Sequence, residues 1–282
     1  MKLYPDLGHP RKSQREPDCL LFALPKSVAV VKIRFLRSLS RKITGLLLRT
    51  SVAPRRIERL PLIKWSIDRV GQIFLQLALG RRLTISVPDD VGYAGEIGGW
   101  NFLIGYFQSW RYSVTEAVSE SMMSIFPKDD SKKLRELIIE AKRVRPIVVH
   151  IRLGDYLQEP HFGIPSAQYY LNALECLRHL DARPIWIFTN DVDSMKLSFG
   201  ALLGQRTTVV NDKDLDAAQV MQIMRYGIAY VIGNSSFSWW AANLRFDRSS
   251  AVFAPKPWFR DMPEPSDLIP PDWRQIDSMW VD

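Results

Sequence analysis

Two short segments place phosphate-binding side chains where a fold could use them. The first, RPIVVHIRLGDYL, runs from Arg145 to Leu157. Its β-branched core, Ile147 to Ile151, lies between Pro146 and Gly154 and has the length and composition of a buried strand. His150, Arg152 and Asp155 then fall at or just past the carboxyl end of that strand, which is where open α/β sheets bind ligands. A guanidinium there suits a diphosphate, because it stays charged and grips phosphate oxygens in a two-pronged fork. A surface ion pair between Arg152 and Asp155, worth little to stability, accounts for the same residues without a ligand. The second segment, AYVIGNSSFSWWAANL, runs from Ala229 to Leu244. It reads as a strand, Ala229 to Gly233, that breaks at Asn234 into a helix. Ser235 or Ser236 is a natural N-cap, since a hydroxyl accepts from an orphan amide. The remaining free amides and the helix dipole make such a boundary a place to hold phosphate, although a capped helix with no ligand fits the local pattern as well.

Taken together, HIRLGDY and GNSSFSWWAANL resemble the signature blocks of glycosyltransferase family 11, the α-1,2-fucosyltransferases. Further blocks follow in the family's order: GYFQSWRY from Gly105 to Tyr112, HFG from His161 to Gly163 ahead of Tyr169 and Tyr170, IFTNDVDSMK from Ile187 to Lys196, and VFAPKPWF from Val252 to Phe259. The resemblance covers residues 100 to 260 and implies an inverting, metal-independent transfer of L-fucose from GDP-β-L-fucose to the 2-hydroxyl of a galactoside. GDP-fucose is then a substrate, and no cofactor is expected. It also implies a GT-B-like α/β fold, two Rossmann-like domains facing across a cleft. Arg152 is implied on the donor diphosphate, with Ser235, Ser236 and Phe237 nearby and His150 and Asn234 in the same donor-binding set.

This chain departs from the family in two places. The family's opening GLGNQMFQYA-like block has no clean copy. VGQIFLQLALG, Val70 to Gly80, keeps Gly71, Gln76 and Ala78 but lies unusually close to Gly105. The acceptor-side domain is therefore expected to be reduced or atypical. The family's second arginine after His-x-Arg is Leu153 here, which removes one positive charge beside the diphosphate.

Inverting transfer needs a base for the acceptor hydroxyl. Asp155 and His161 are the catalytic candidates. Asp155 could instead orient Arg152, and His161 could instead bind acceptor. Asp191 follows a strand, where a carboxylate can accept from a ribose or nucleobase, or can cap a turn. Asp191 and Asp193 have the spacing of a metal clamp, but they match a family position that is not a metal site. With four histidines and two scattered cysteines, no zinc-type spacing arises.

The elements that must position these groups can be read coarsely. Residues 129 to 143 predict an amphipathic helix closing a first domain, with Leu134, Leu137, Ile138 and Ala141 inward. Strands and helices then alternate in the doubly wound manner. The predicted strands are Ile147–Ile151, Ile185–Thr189, Thr208–Val210, Ala229–Ile232 and Ala251–Ala254. The helices between them are Ser166–Leu180, Asp216–Tyr226 and Ser235–Leu244. A tail rich in Pro and Trp, from Pro255, wraps back over a domain. Earlier, Lys64 to Leu83 reads as a helix, and Leu83–Val87 and Phe102–Phe107 as short strands. The division expected is 1–60 a basic N-terminal segment, 61–144 an acceptor-side α/β domain, and 145–282 a donor-binding Rossmann-like domain with the tail.

Charge is unevenly spread. Of a net +8, nine positive residues and no acidic ones lie between Cys19 and Ile57, so the rest of the chain is close to neutral. Apolar residues interleave there, and residues 26 to 51 read as a basic amphipathic helix suited to an anionic membrane surface, or as a solvated helix covering a domain. No recognition motif accompanies the charge, which argues against nucleic acid. No apolar run reaches the roughly 18 to 20 residues of a spanning helix, and no signal-peptide cleavage site is evident. The expectation is a cytoplasmic protein, peripheral on the inner membrane face, acting on a galactoside or lipid-linked glycan. Two other functions fit the same motifs: a related glycosyltransferase with a different linkage or donor, and a degenerate, non-catalytic protein that binds nucleotide or glycan.

Overall fold

The computed structural model describes residues 130–281 except 211–213, and before them only the pieces 2–3, 22–23, 29–30, 84–86, 92–93, 95, 102–104, 108–113, 123–124 and 126–128. The described body is a six-stranded sheet between two layers of helices.

Helix α1, Lys132–Val144, opens where Ser131 Oγ accepts from the Leu134 amide at 3.1 Å. It closes at Arg145, whose left-handed conformation (φ 46°) and following Pro146 stop propagation. Strand β1, Ile147–Ile151, is buried throughout. Next come α2, Ala167–Glu175; β2, Ile185–Thr189; α3, Val192–Ser198; and β3, Thr207–Val210. Helix α4, Ala217–Met224, is started by a reciprocal cap: Asp216 Oδ1 accepts from the Gln219 amide and Gln219 Oε1 from the Asp216 amide. The chain continues through β4, Ala229–Ile232; α5, Ser236–Asn243; β5, Ala251–Lys256; and β6, Arg274–Asp277.

All pairings in the sheet are parallel, and the spatial order is β3-β2-β1-β4-β5-β6. That is the 3-2-1-4-5-6 order of the Rossmann sheet, with winding reversed between β1 and β4. Side chains alternate across it. Ile147, Val149 and Ile151 meet α2 and α3 through Tyr169, Tyr170, Ala173, Met195 and Phe199. Val148, Tyr230 and Ile232 meet α1, α4 and α5 through Leu134, Ala141, Ile223, Met224, Trp239 and Ala242.

The structure corrects the expected elements in four places. Helix α1, expected to close the first domain, packs its Leu134–Ala141 stripe on this sheet and belongs with it. Helix α3 was not foreseen, because seven residues give too little periodicity. Strand β6 is also new: it adds to the β5 edge, with Phe253 opposite Arg274, and its mostly exposed polar residues carry no strand signature. Within the predicted basic helix, Ala29–Val30 is instead a two-residue strand paired with Lys2–Leu3, in keeping with the β-branched Val28, Val30 and Val31. The rest of that segment, VGQIFLQLALG and the helix expected over 64–83 lie outside the described residues.

Earlier in the chain, Thr84–Ser86 pairs in parallel with Phe102–Ile104. Among the described residues of the GYFQSWRY block, Ser109 and Trp110 hydrogen-bond to Asp267 of the tail. Asp267 O accepts from the Trp110 amide at 3.1 Å, and Asp267 Oδ2 accepts from Ser109 Oγ at 2.8 Å and from the Tyr93 amide at 3.0 Å.

Candidate functional site

The winding reverses between β1 and β4, which makes their carboxyl ends a switch point, the crevice at which open α/β sheets bind ligands, with Ile232 opposite His150 in register. Both motif segments leave the sheet at this point. His150, the penultimate residue of β1, is almost fully buried, with its ring 5.4 Å from that of Phe237. Burial and then the nearby Arg152 charge push its imidazole down to about 3, so it is neutral near neutral pH.

Arg152, just past β1, donates from Nε to Asp155 Oδ1 at 2.9 Å and from Nη2 to Asp155 Oδ2 at 3.0 Å. The pair is a bidentate fork whose side chains are 30% and 52% exposed, open to an incoming anion. Asp155 belongs to a short 3₁₀ turn, Gly154–Gln158. In that turn Tyr156 donates to Asn234 O at 3.1 Å, which joins the β1 loop to the β4 loop. Burial raises the Tyr156 hydroxyl pKa, so the donor stays protonated.

On the other lip, Ser235 caps α5 by accepting from the Phe237 amide at 3.3 Å. Ser238 Oγ donates back to Gly233 O and Ser235 O, which tightens the turn. Ser236 stands exposed at the first helical position. Asn234 is buried, and its Nδ2 donates to Phe162 O at 2.8 Å and Gly163 O at 3.1 Å. Asn234 thereby holds the His161–Gly163 turn against the crevice. Among the described residues, Asn234 Oδ1 and His150 Nδ1 are buried without hydrogen-bond partners. Two orphaned polar atoms at one crevice are what a polar ligand would satisfy.

His150, Arg152, Asp155, Asn234, Ser235, Ser236 and Phe237 are thus gathered around one switch point. His161 is carried to its rim. Its side chain is 69% exposed, with Nδ1 3.9 Å from Asp261 Oδ2. Asp191 is the N-cap of α3, its Oδ1 accepting from the Ser194 amide and its Oδ2 from Ser194 Oγ, bonds that hold its carboxyl below the ordinary range. That is the turn-capping reading of Asp191. Leu153, where the family has an arginine, is buried in the core beside α2, so Arg152 supplies the only guanidinium of the HIRLGDY loop. Two residues of the site escaped sequence reasoning, Tyr156 and Asn190. Asn190 Oδ1 accepts from the Leu153 amide at 2.8 Å. The sequence signals for Asn190 are its place in the IFTNDVDSMK block and directly after a predicted strand, neither of which reveals its reach to Leu153.

The model of the family described as glycosyl transferase family 11 matches residues 91–276, a span containing every residue of the crevice. An α-1,2-colitosyltransferase of Escherichia coli is 27% identical over 65% of this chain and 65% of its own length. An O-antigen biosynthesis glycosyltransferase, WbnK, also of Escherichia coli, is 29% identical over 39% of this chain and 38% of its own. The chain therefore matches less than two thirds of either relative. The crystal structure of NodZ α-1,6-fucosyltransferase soaked with GDP-fucose aligns over 56% of this chain and 57% of that one, at 15% identity and a TM-score of 0.31. By the extent of the family match, the chain belongs to glycosyltransferase family 11.

Proposed function

We propose that this chain is an inverting α-1,2-fucosyltransferase that moves L-fucose from GDP-β-L-fucose to the 2-hydroxyl of a galactoside, free or within a lipid-linked glycan. The observation that carries the reading is the convergence of the Arg152 fork and the Ser235-capped start of α5 on the β1/β4 switch point. In transfer to an acceptor, charge builds on the leaving diphosphate. Arg152 and the free amides opening α5 are placed to take that charge, which is the job a metal does in other transferases. The reading is therefore of a metal-independent enzyme without cofactor. The donor lies across His150, Arg152, Asn234, Ser235, Ser236 and Phe237, and residues 145–282 form the donor-binding domain of a GT-B pair together with α1. Residues 61–131 contribute the acceptor side.

For the base, the geometry favours His161 over Asp155. Both carboxylate oxygens of Asp155 are taken by Arg152, whereas the His161 ring stands exposed beside the Asp261 carboxylate. The expected roles are Asp155 holding the Arg152 fork and His161 accepting the acceptor proton.

A second reading keeps the linkage and changes the sugar, since one relative bears the name α-1,2-colitosyltransferase. Incubation with GDP-fucose, with and without a galactoside, tests the proposal. GDP release that depends on acceptor is expected. Binding of GDP without turnover on any acceptor or donor sugar would leave a non-catalytic nucleotide-binding protein in its place.

A further inference from the structure

Asn190 is the first residue after β2, yet its amide reaches across to the loop of the neighbouring strand. Its Oδ1 accepts from the Leu153 amide at 2.8 Å, and its Nδ2 lies 3.5 Å from Asp155 Oδ1. Between these two residues Gly154 adopts φ +50°, and a Cβ there would meet Asn190 Nδ2 at 2.6 Å. The loop is thus folded around the Asn190 side chain, with glycine both for the left-handed turn and for the close approach. Leu153 is held a second time by its own side chain, buried in the core with the α2 tyrosines. Arg152 is left between two fixed residues, buried Ile151 at the end of β1 and doubly held Leu153.

We propose that Asn190 is a positioning residue for donor binding: it fixes the β1 loop so that the Arg152–Asp155 fork stands open at the β1/β4 crevice. This rests on the reading of Arg152 as the diphosphate ligand. The chemistry requires an asparagine. One short planar group must accept from the Leu153 amide and present a donor toward Asp155. Aspartate would set a second carboxylate beside Asp155, and alanine would leave the Leu153 amide without its acceptor. Asn190 itself touches no donor atom in this scheme; its effect passes through Arg152.

A double-mutant cycle tests the proposal, with GDP affinity measured by calorimetry on the full chain carrying Asn190→Ala, Arg152→Ala, or both. Asn190→Ala should weaken GDP binding by about two- to tenfold, the range for one lost hydrogen bond. On the Arg152→Ala background it should have no further effect. A residue with a merely structural role would weaken binding equally on both backgrounds, and that result, or no effect on either, would overturn the proposal. Should the alanine variant fail to fold, Asn190→Ser serves in its place. A separate readout needs no ligand: the bond from Arg152 Nε to Asp155 is expected to give a sharp Nε–H resonance in the wild type, which should broaden or vanish in the Asn190 variant. An unchanged resonance overturns the positioning role. Absence of GDP binding by the wild type would instead overturn the donor reading, and the resonance would still decide the role of Asn190.

Discussion

Arg152 and His150 sit two residues apart on one strand end, yet their environments drive them to opposite states. Arg152 is partly open and charged, so Arg152→Lys should keep the charge but lose the fork. GDP affinity should fall by on the order of 1–3 kcal/mol, as for a charged hydrogen bond. Calorimetric titration of the folded variant checks this, and unchanged affinity would refute the diphosphate assignment. His150 is buried and held neutral, its pKa lowered from 6.5 to about 3. The unfolded chain therefore binds more protons than the folded one between those values. Stability should be lost as pH falls from about 6.5 toward 3, at up to about 1.4 kcal/mol per pH unit from this group. His150→Gln should flatten that slope in urea midpoints measured at several pH values, whereas parallel curves would exonerate His150. The sequence marked these two residues because arginine and histidine at a strand end have few structural uses. Asn190 and Tyr156 were not legible. Their partners, Leu153 and Asn234, lie on other strand ends, and a doubly wound pattern tells that β2 and β4 flank β1 without telling which side chains cross between their loops.

At the scale of elements, α2 fixes the crevice from below. Tyr169 Oη donates to Ile232 O at 2.6 Å and to Phe253 O at 3.2 Å, while Tyr170 Oη donates to His150 O at 3.1 Å. These bonds reach the terminal carbonyl of β4, the penultimate one of β1, which also accepts from the Gly233 amide at 3.0 Å, and one on β5. Gly233 then passes so close that an added Cβ would meet Tyr170 Oη at 2.9 Å and His150 O at 3.2 Å. Gly233→Ala should cost about 1–3 kcal/mol as an overpacking change. The cost should be smaller in a Tyr170→Phe background, where the hydroxyl is gone. Urea unfolding of the four proteins measures both, and equal costs in the two backgrounds would show that the hydroxyl is not the obstacle. Strands β1, β2 and β4 were legible because each is a short β-branched or aromatic run between breakers. Strand β6 was not, because Arg-Gln-Ile-Asp looks like loop until β5 supplies an edge. Helix α3 was hidden because Asp191 announced a ligand and a cap equally well.

Across the whole molecule, the half after Arg145 was readable and the part before it was not. The strand–helix alternation repeats after Arg145, whereas earlier segments offer only isolated patterns. Family membership extends from residue 91 and leaves the basic segment outside the matched span. Among the described residues, no helix is long and apolar enough to cross a membrane. The proposed charge-handling scheme, with Arg152 and the start of α5 taking the leaving-group charge, calls on no divalent ion, so turnover is expected to persist in excess chelator. Loss of turnover that manganese or magnesium restores would point instead to a metal role for Asp191 and Asp193. The last expectation concerns the nine Lys and Arg residues between Cys19 and Ile57, unopposed by any acid. Each basic residue near an anionic bilayer is worth about 1 kcal/mol, fading within a Debye length of roughly 8–10 Å. Half of them facing one way would hold the protein reversibly beside a lipid-linked acceptor. Co-sedimentation should therefore be strong with vesicles containing anionic lipid, weak with neutral vesicles, and reduced by added salt. Equal sedimentation with both, or none with either, would mean that this charge faces solvent and that the acceptor reaches the crevice without help from the membrane surface.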